Sequence, residues 1–143
     1  MTNLPDTLRV ALIAAAGGPQ APAILELERV LIDHGKVQLV RFEHAEPFLE
    51  FMQVLVSLPP HFALIETGSE HEGLVYLEQL RSLETGHVLP TVMLASDWTA
   101  QMLERASQHG AASCVNIPSD TNARLEVFMA LVTYWCSINE PAN

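Results

Sequence analysis

Short apolar segments alternate along this chain with longer segments in which apolar residues recur every three or four positions. The short segments have the composition of strands that are buried on both faces, and the longer ones have the period of amphipathic helices. The 143 residues hold five such pairs. The pattern therefore predicts the α/β class, with five βα units and helices on both faces of a parallel sheet.

The bounds of the predicted elements follow from the apolar runs and from the glycines and prolines between them. We predict strands at residues 9–15, 37–42, 62–66, 91–95 and 112–116. We predict helices at residues 20–34, 46–57, 72–83, 98–109 and 121–138. Gly35 and Gly110 follow helices at positions where a positive φ angle is favoured. In the last helix an apolar face is expected to dock on the sheet, formed by Leu125, Phe128, Met129, Val132, Trp135 and Cys136.

Few chain paths are compatible with five βα units, because crossover connections between parallel strands are right-handed. The doubly wound arrangement that is common at this length has the flavodoxin-like strand order 2-1-3-4-5. We expect one domain over residues 1–143, with a core at about residues 8–138. Its functional crevice should lie beyond the carboxyl ends of strands one, three, four and five.

Charge and hydropathy exclude several classes of function. Seventeen acidic residues against seven basic ones give a formal charge of −10, which disfavours binding to nucleic acid phosphates. No apolar run approaches the roughly 20 residues that span a bilayer, so no membrane segment is expected. The first apolar stretch has no basic residue before it, and Gly17-Gly18-Pro19 follows it in place of a secretory cleavage pattern. We therefore expect a cytoplasmic protein.

No motif of an enzyme or of a cofactor site is present. The two cysteines are far apart and have no CxxC or CxxH companion, and the six histidines are scattered without a metal-ligand spacing such as H-E-x-x-H. The small residues after the first strand contain neither G-x-G-x-x-G nor G-K-[ST]. We expect no catalytic residues, no metal and no cofactor.

Three segments together resemble the receiver domain of response regulators, the CheY-like family. Residues 110–118 read GAASCVNIP and resemble the receiver pattern G-A-x-x-[YF]-x-x-K-P. Residues 60–66 (PHFALIE) look like the strand P-D-L-[IV]-L-L-D, and residues 89–96 (LPTVMLAS) look like I-P-[VI]-[VI]-x-L-T-[TA]. The resemblance runs from about Leu8 to about Trp135 and implies a three-layer sandwich with five strands and five helices.

The residues that carry receiver chemistry differ at every corner of the implied pocket. The resemblance implies two acids after the first strand, an aspartate on the third, a hydroxyl on the fourth and a lysine after the fifth. Ala14 and Ala15, Glu66, Ala95 and Ile117 occupy these positions. Phosphoryl transfer to a carboxylate needs a magnesium ion held by acids, together with a lysine and a hydroxyl that meet the phosphoryl oxygens. The chain therefore resembles a pseudo-receiver with a degenerate phosphoacceptor pocket.

Two interpretations of Glu66 remain open at this point. Its carboxylate could imitate the charge of a phosphorylated aspartate, or it could be a solvated acid at the end of a strand. The vacated crevice also leaves an alternative function open: a flavodoxin-like module that binds a small apolar or anionic ligand. In the main interpretation the chain signals without phosphorylation, through contact with another protein.

The resemblance implies a contact surface formed by helix four, strand five and helix five. Candidate contact residues are Trp98, Met102, Cys114, Tyr134 and Trp135. Each tryptophan could anchor an interface or simply cover the core. The implied partner is a protein, either a sensor kinase or another response regulator, and a homodimer is expected. The tail at residues 128–141 is similar to the ending of receivers that partner bacterial phytochromes.

Overall fold

The computed structural model describes residues 7–15, 17–54, 59–67 and 70–139. Within them five strands and five helices alternate. The strands are β1 (Leu8–Ile13), β2 (Val37–Phe42), β3 (Phe62–Glu66), β4 (Thr91–Ala95) and β5 (Ser113–Asn116). The helices are α1 (Ala21–Asp33), α2 (Ala45–Gln53), α3 (Glu70–Ser82), α4 (Ala100–Gln108) and α5 (Thr121–Ile138). These bounds lie within three residues of the predicted ones, except that the predicted helix end at residue 57 lies outside the described residues.

A polar side chain caps the first turn of α4 and of α5 and fixes where each helix begins. The Thr99 hydroxyl accepts a hydrogen bond from the Met102 amide at 3.2 Å, so α4 starts at Ala100 and not at the predicted residue 98. An Asp120 carboxylate oxygen accepts from the Ala123 amide at 2.8 Å, at the predicted start of α5. Such caps satisfy amide groups that have no partner within the first turn of a helix.

The sheet is parallel and has the order β2-β1-β3-β4-β5, which confirms the predicted flavodoxin-like topology. Side chains of the interior strand β1 alternate between the two faces. Val10 and Leu12 pack with residues of α1 and α5 on one face, and Ala11 and Ile13 pack with residues of α2 and α3 on the other. All four are fully buried or nearly so. This is the predicted three-layer arrangement.

The buried face of α5 differs from the predicted one. Leu125 and Met129 were expected to dock on the sheet, but they are 44% and 54% exposed, and Leu131, which was not predicted, is buried. Leu125 lies beside α1, where it lines a surface groove together with Leu25. The prediction was wrong at Leu125 because α1 flanks that edge of α5 without closing over it, and it was wrong at Met129 because that side chain lies outside the face that packs on the sheet. The buried residues of α5 are Phe128, Leu131, Val132, Trp135 and Cys136.

Two glycines have the positive φ angles that their positions predict. Gly35 has φ of 88° and Gly110 has φ of 93°. Gly110 also lies against Arg81, whose guanidinium donates to the carbonyl oxygens of Gly86 at 2.9 Å and Gly110 at 2.8 Å. It donates as well to the Thr91 hydroxyl at 3.2 Å. Arg81 thereby links the end of α3, the start of β4 and the turn before β5.

These two glycines form a matched pair for mutation. A Cβ at Gly35 would meet no atom within 4 Å, whereas a Cβ at Gly110 would lie 2.9 Å from Arg81 Nε. Gly35→Ala should therefore cost about 1 kcal/mol of unfolding free energy, from the strained backbone alone. Gly110→Ala should cost about 1 kcal/mol more, because it also displaces hydrogen-bonded Arg81. Urea unfolding of both variants checks this, and equal losses would contradict it.

Candidate functional site

The carboxyl ends of β3 and β4 open into a cleft of about 280 Å³. Glu66 ends β3 and Ala95 ends β4, and both line the cleft. Parallel strands present their carboxyl ends at one edge of the sheet, so this is the crevice expected from the topology. The residues that line it are Pro19, Gln20, Glu66, Thr67, Gly73, Met93, Leu94, Ala95, Ser96, Asp97, Trp98 and Met102.

The other predicted pocket residues do not line this cleft. Ala14 and Ile117 are 1% and 3% exposed and pack in the core between the sheet and the α1–α5 layer. Ala15 is exposed to solvent after β1. Of the five residues predicted to form the degenerate pocket, Glu66 and Ala95 line the cleft. The Ile117 amide donates to the Ala95 carbonyl oxygen at 2.8 Å, but the Ile117 side chain packs in the core. The position that a receiver would fill with lysine is here part of the hydrophobic core.

Arg41, which was not predicted from the sequence, lies on β2, and its guanidinium reaches the carboxyl end of β1. Its guanidinium donates from Nη1 to the carbonyl oxygen of Ala14 at 2.6 Å and to that of Phe42. Its Nε donates to Glu28 Oε1 on α1 at 3.1 Å, in an ion pair whose side chains are about one-quarter exposed. An arginine near the end of an otherwise mainly apolar strand is the signal that could have revealed it.

The receiver fold implies a magnesium ion at the end of β1, and the residues present do not fit one. Magnesium prefers carboxylate oxygens and water as ligands. Ala14 and Ala15 supply no carboxylate, and the Ala14 carbonyl already accepts from the Arg41 guanidinium. Within the described residues no group of three His, Cys, Asp or Glu side chains is placed to hold a metal ion. A cationic side chain occupies the neighbourhood in which a receiver of this fold would collect acids.

Glu66 is partly buried, and Arg41 compensates its charge only in part. Burial raises the pKa of its carboxyl above the usual value, and the negative charge of Glu72 raises this pKa further. Arg41 lowers the pKa in part, but its guanidinium hydrogen bonds are made to Glu28 and to two carbonyl oxygens. The ionised form of Glu66 is therefore stabilised less than an ordinary surface carboxylate.

Trp98 uses both of its N–H groups inside the protein. Its indole Nε1 donates to the carbonyl oxygen of Val115 at 3.2 Å, and its backbone amide donates to Asn116 Oδ1 at 2.8 Å. Both acceptors belong to β5, which is the edge strand of the sheet. The side chain thus joins the loop after β4 to β5 and covers one end of an exposed edge, while its ring also lines the cleft.

The remaining candidate contact residues differ widely in exposure. Trp135 is only 8% exposed and its ring centroid lies 5.8 Å from that of Phe62, so it belongs to the core. Cys114 is half-buried against the α2–α3 layer, where burial raises the pKa of its thiol. Met102 is half-buried at the cleft. Tyr134, at 58% exposure, is the candidate best placed to touch a partner.

Tyr134 lies on a shallow apolar groove between β5 and α5. The groove measures about 500 Å³ and has no acidic or basic side chain in its lining. Interface centres are likewise depleted in charged residues and enriched in aromatic ones. Its lining residues are Ala112, Ser113, Val115, Val127, Ala130, Leu131, Tyr134 and Trp135.

The chain is similar in structure to receiver domains across its length. A phosphorylated cyanobacterial phytochrome response regulator, RcpA, has a TM-score of 0.79 and 11% identity, with 96% of this chain and 99% of that one covered. A response regulator from Hahella chejuensis has a TM-score of 0.78 and 18% identity, with 95% and 100% covered. RPA3017, from red light signalling in R. palustris, has a TM-score of 0.73 and 17% identity, with 95% and 99% covered. The chain therefore has the receiver fold.

The sequence itself gives no comparable match: no protein-family model and no curated protein matches it. In the part of the chain that the structure describes, no helix combines the length and the apolar character needed to cross a membrane.

Replacing Arg41 by methionine should destabilise the fold. The change removes an ion pair and the donors to two carbonyl oxygens, at a cost of about 1–3 kcal/mol in unfolding free energy. Arg29→Met, at an exposed position on α1, should cost less than about 0.5 kcal/mol. Urea unfolding of both variants measures the difference, and equal stabilities would contradict the structural role of Arg41.

Proposed function

We propose that this receiver-fold chain is a phosphorylation-independent pseudo-receiver, which acts in cytoplasmic signal transduction by binding another protein. The receiver fold supports a place in two-component signalling. The observation that carries the proposal is the Arg41 guanidinium, which donates to the Ala14 carbonyl at the strand end where phosphoryl chemistry needs acids.

The other corners support the same conclusion. Ala95 offers no hydroxyl to a phosphoryl group, and the side chain of Ile117 is apolar and buried in the core. Glu66 has a longer side chain than aspartate, and its raised pKa reflects a partly buried carboxyl with another acid nearby. A glutamyl phosphate at this position would gain neither a metal ion nor a lysine to neutralise its charge. Neither a catalytic residue nor a cofactor forms part of the proposed function.

The surface formed by α4, β5 and α5 is the proposed contact region. Its β5–α5 groove is apolar, and Tyr134 is exposed at its rim. Large aromatic residues are frequent among the residues that dominate binding energy. The proposed partner is a sensor kinase or another response regulator, and two copies of the chain form a homodimer through the same surface. Two structurally similar proteins are a cyanobacterial phytochrome response regulator and a response regulator in red light signalling, which supports a phytochrome-like sensor as the kinase.

Incubation with acetyl phosphate and magnesium should leave the mass of the protein unchanged. Intact-mass spectrometry measures this, with a receiver that retains its aspartate and lysine treated in parallel as the positive control. A stoichiometric phosphoryl adduct on this chain would refute the pseudo-receiver proposal, whatever residue carries it.

Tyr134→Ala should weaken the homodimer without unfolding the protein. The side chain is 58% exposed, so its removal leaves little cavity, but it removes an aromatic contact from each side of a two-fold interface. We expect a rise of about tenfold or more in the dimer dissociation constant, equivalent to about 1.4 kcal/mol. Light scattering over a concentration series measures it. Val88→Ala, at an 81% exposed position before β4, is the control and should leave the constant unchanged.

Ligand binding in the vacated crevice is a second candidate function, and the cleft itself favours it. The cleft of about 280 Å³ lies at the switch edge of the sheet, where doubly wound folds bind ligands. Of the two ligand classes expected from the sequence, the acids Glu66 and Asp97 in the lining disfavour the anionic one.

A further inference from the structure

We propose that the cleft at the carboxyl ends of β3 and β4 binds a small organic cation: an amine that carries an apolar group. This inference concerns the second candidate function and does not depend on signalling through the α4–β5–α5 surface. It rests on the shape, the apolar walls and the distribution of charge in the cleft.

The walls of the cleft suit an apolar group. Met93, Trp98 and Met102 line it with two thioethers and an indole, and Ala95 projects only a methyl group. Aromatic faces attract organic cations, and methionine side chains adapt to irregular apolar ligands. At about 280 Å³ the cleft is slightly smaller than the usual range for ligand sites, which begins at roughly 300 Å³. It therefore fits a ligand with one ring or a short alkyl chain.

One wall of the cleft depends on a glycine. A Cβ on Gly73 would lie 2.9 Å from Thr67 Oγ1 and 3.0 Å from the terminal methyl carbon of Met93. The first turns of α3 can therefore approach β3 and β4 closely only because residue 73 has no side chain. Gly73 itself is buried. The cleft is thus bounded by tightly packed atoms on this side, as a preformed ligand site requires.

The charge of the cleft selects a cation. Glu66 and Asp97 line it, and among the described residues of its lining there is no Lys, Arg or His. Asp97 is exposed in the loop after β4, whereas Glu66 is partly buried. From the neighbouring elements, Glu72 on α3 and Arg41 on β2 face Glu66. Because Arg41 also pairs with Glu28, a bound ammonium group would supply the positive charge that Glu66 lacks.

The test measures binding of phenethylamine by NMR titration, with two probes of similar shape as comparisons. The neutral probe is 2-phenylethanol and the anionic probe is 3-phenylpropionate. The amine should shift the Trp98 indole resonance and bind at least about tenfold more tightly than the alcohol, a difference of about 1.4 kcal/mol. The carboxylate should not bind. Equal binding of amine and alcohol would overturn the proposal.

Three variants locate the site. Glu66→Gln removes the charge and should weaken amine binding at least about tenfold. Ala95→Leu fills the cleft and should abolish binding of the amine while leaving Glu66 in place. Glu50→Gln removes an equal charge from an exposed position on α2 and should have no effect. If Glu66→Gln and Glu50→Gln weaken binding equally, the amine is attracted only by the net charge of −10, and the proposal fails.

The dependence of binding on pH is a further readout. The raised pKa of Glu66 means that its carboxyl takes up a proton at a higher pH than an ordinary glutamate. Amine binding should therefore be strongest above this pKa and should weaken as the pH falls through it, and Glu66→Gln should remove that step. Retention of the step in Glu66→Gln would overturn the assignment. A phosphoryl adduct in the acetyl phosphate experiment would refute the pseudo-receiver proposal without affecting this result.

Discussion

The architecture depends on a sheet whose two faces are both covered by helices. β1 is an interior strand, between β2 and β3, and its side chains alternate between the α1–α5 layer and the α2–α3 layer. A parallel sheet of this kind exposes its ends and little else, because the backbone groups of its central strands pair with neighbours and its faces are apolar. Any chemistry therefore has to use residues at the strand ends. There Glu66 and Ala95 stand at positions where the resemblance to receivers implies an aspartate and a hydroxyl.

Arg41 shows how such a strand end can remain ordered without a metal ion. At the carboxyl ends of β1 and β2 the guanidinium donates to the Ala14 carbonyl and adds a second donor to the Phe42 carbonyl, which also accepts from the Ala14 amide, while it pairs with Glu28. Arginine suits this role because its planar group presents several donors in a fixed arrangement and stays charged. The same guanidinium places a positive charge near the position where magnesium would need to bind. One residue therefore both orders the strand end and disfavours a metal ion there.

The sequence was sufficient to predict the topology of the sheet, but it did not predict the contacts of the side chains at the carboxyl edge of the sheet. Apolar runs, helical periods and the glycines at 35 and 110 predicted the element order, because each of these signals is local. Arg41 and Trp98 were different, since their partners lie on other elements: Glu28 on α1 and Val115 on β5. Periodicity also placed Leu125 and Met129 on the buried face of α5 and left out Leu131, because a repeat of three and four residues does not show which positions a neighbouring element covers. Glu66 and Ala95 could be placed at the cleft from the sequence, because each ends a short apolar run and the carboxyl ends of β3 and β4 lie side by side.

The position of Glu66 bears on whether its charge can act as a permanent signal. A carboxylate imitates a phosphorylated aspartate only if it is ionised and if a group at the pocket responds to it. Burial and the charge of Glu72 raise the pKa of the Glu66 carboxyl, and the charge of Arg41 lowers it in part. The two positions that would respond hold Ala95 and the buried Ile117. Glu66 lines the cleft beside Ala95, and neither the Ala95 nor the Ile117 side chain offers a hydroxyl or a cation to its carboxylate.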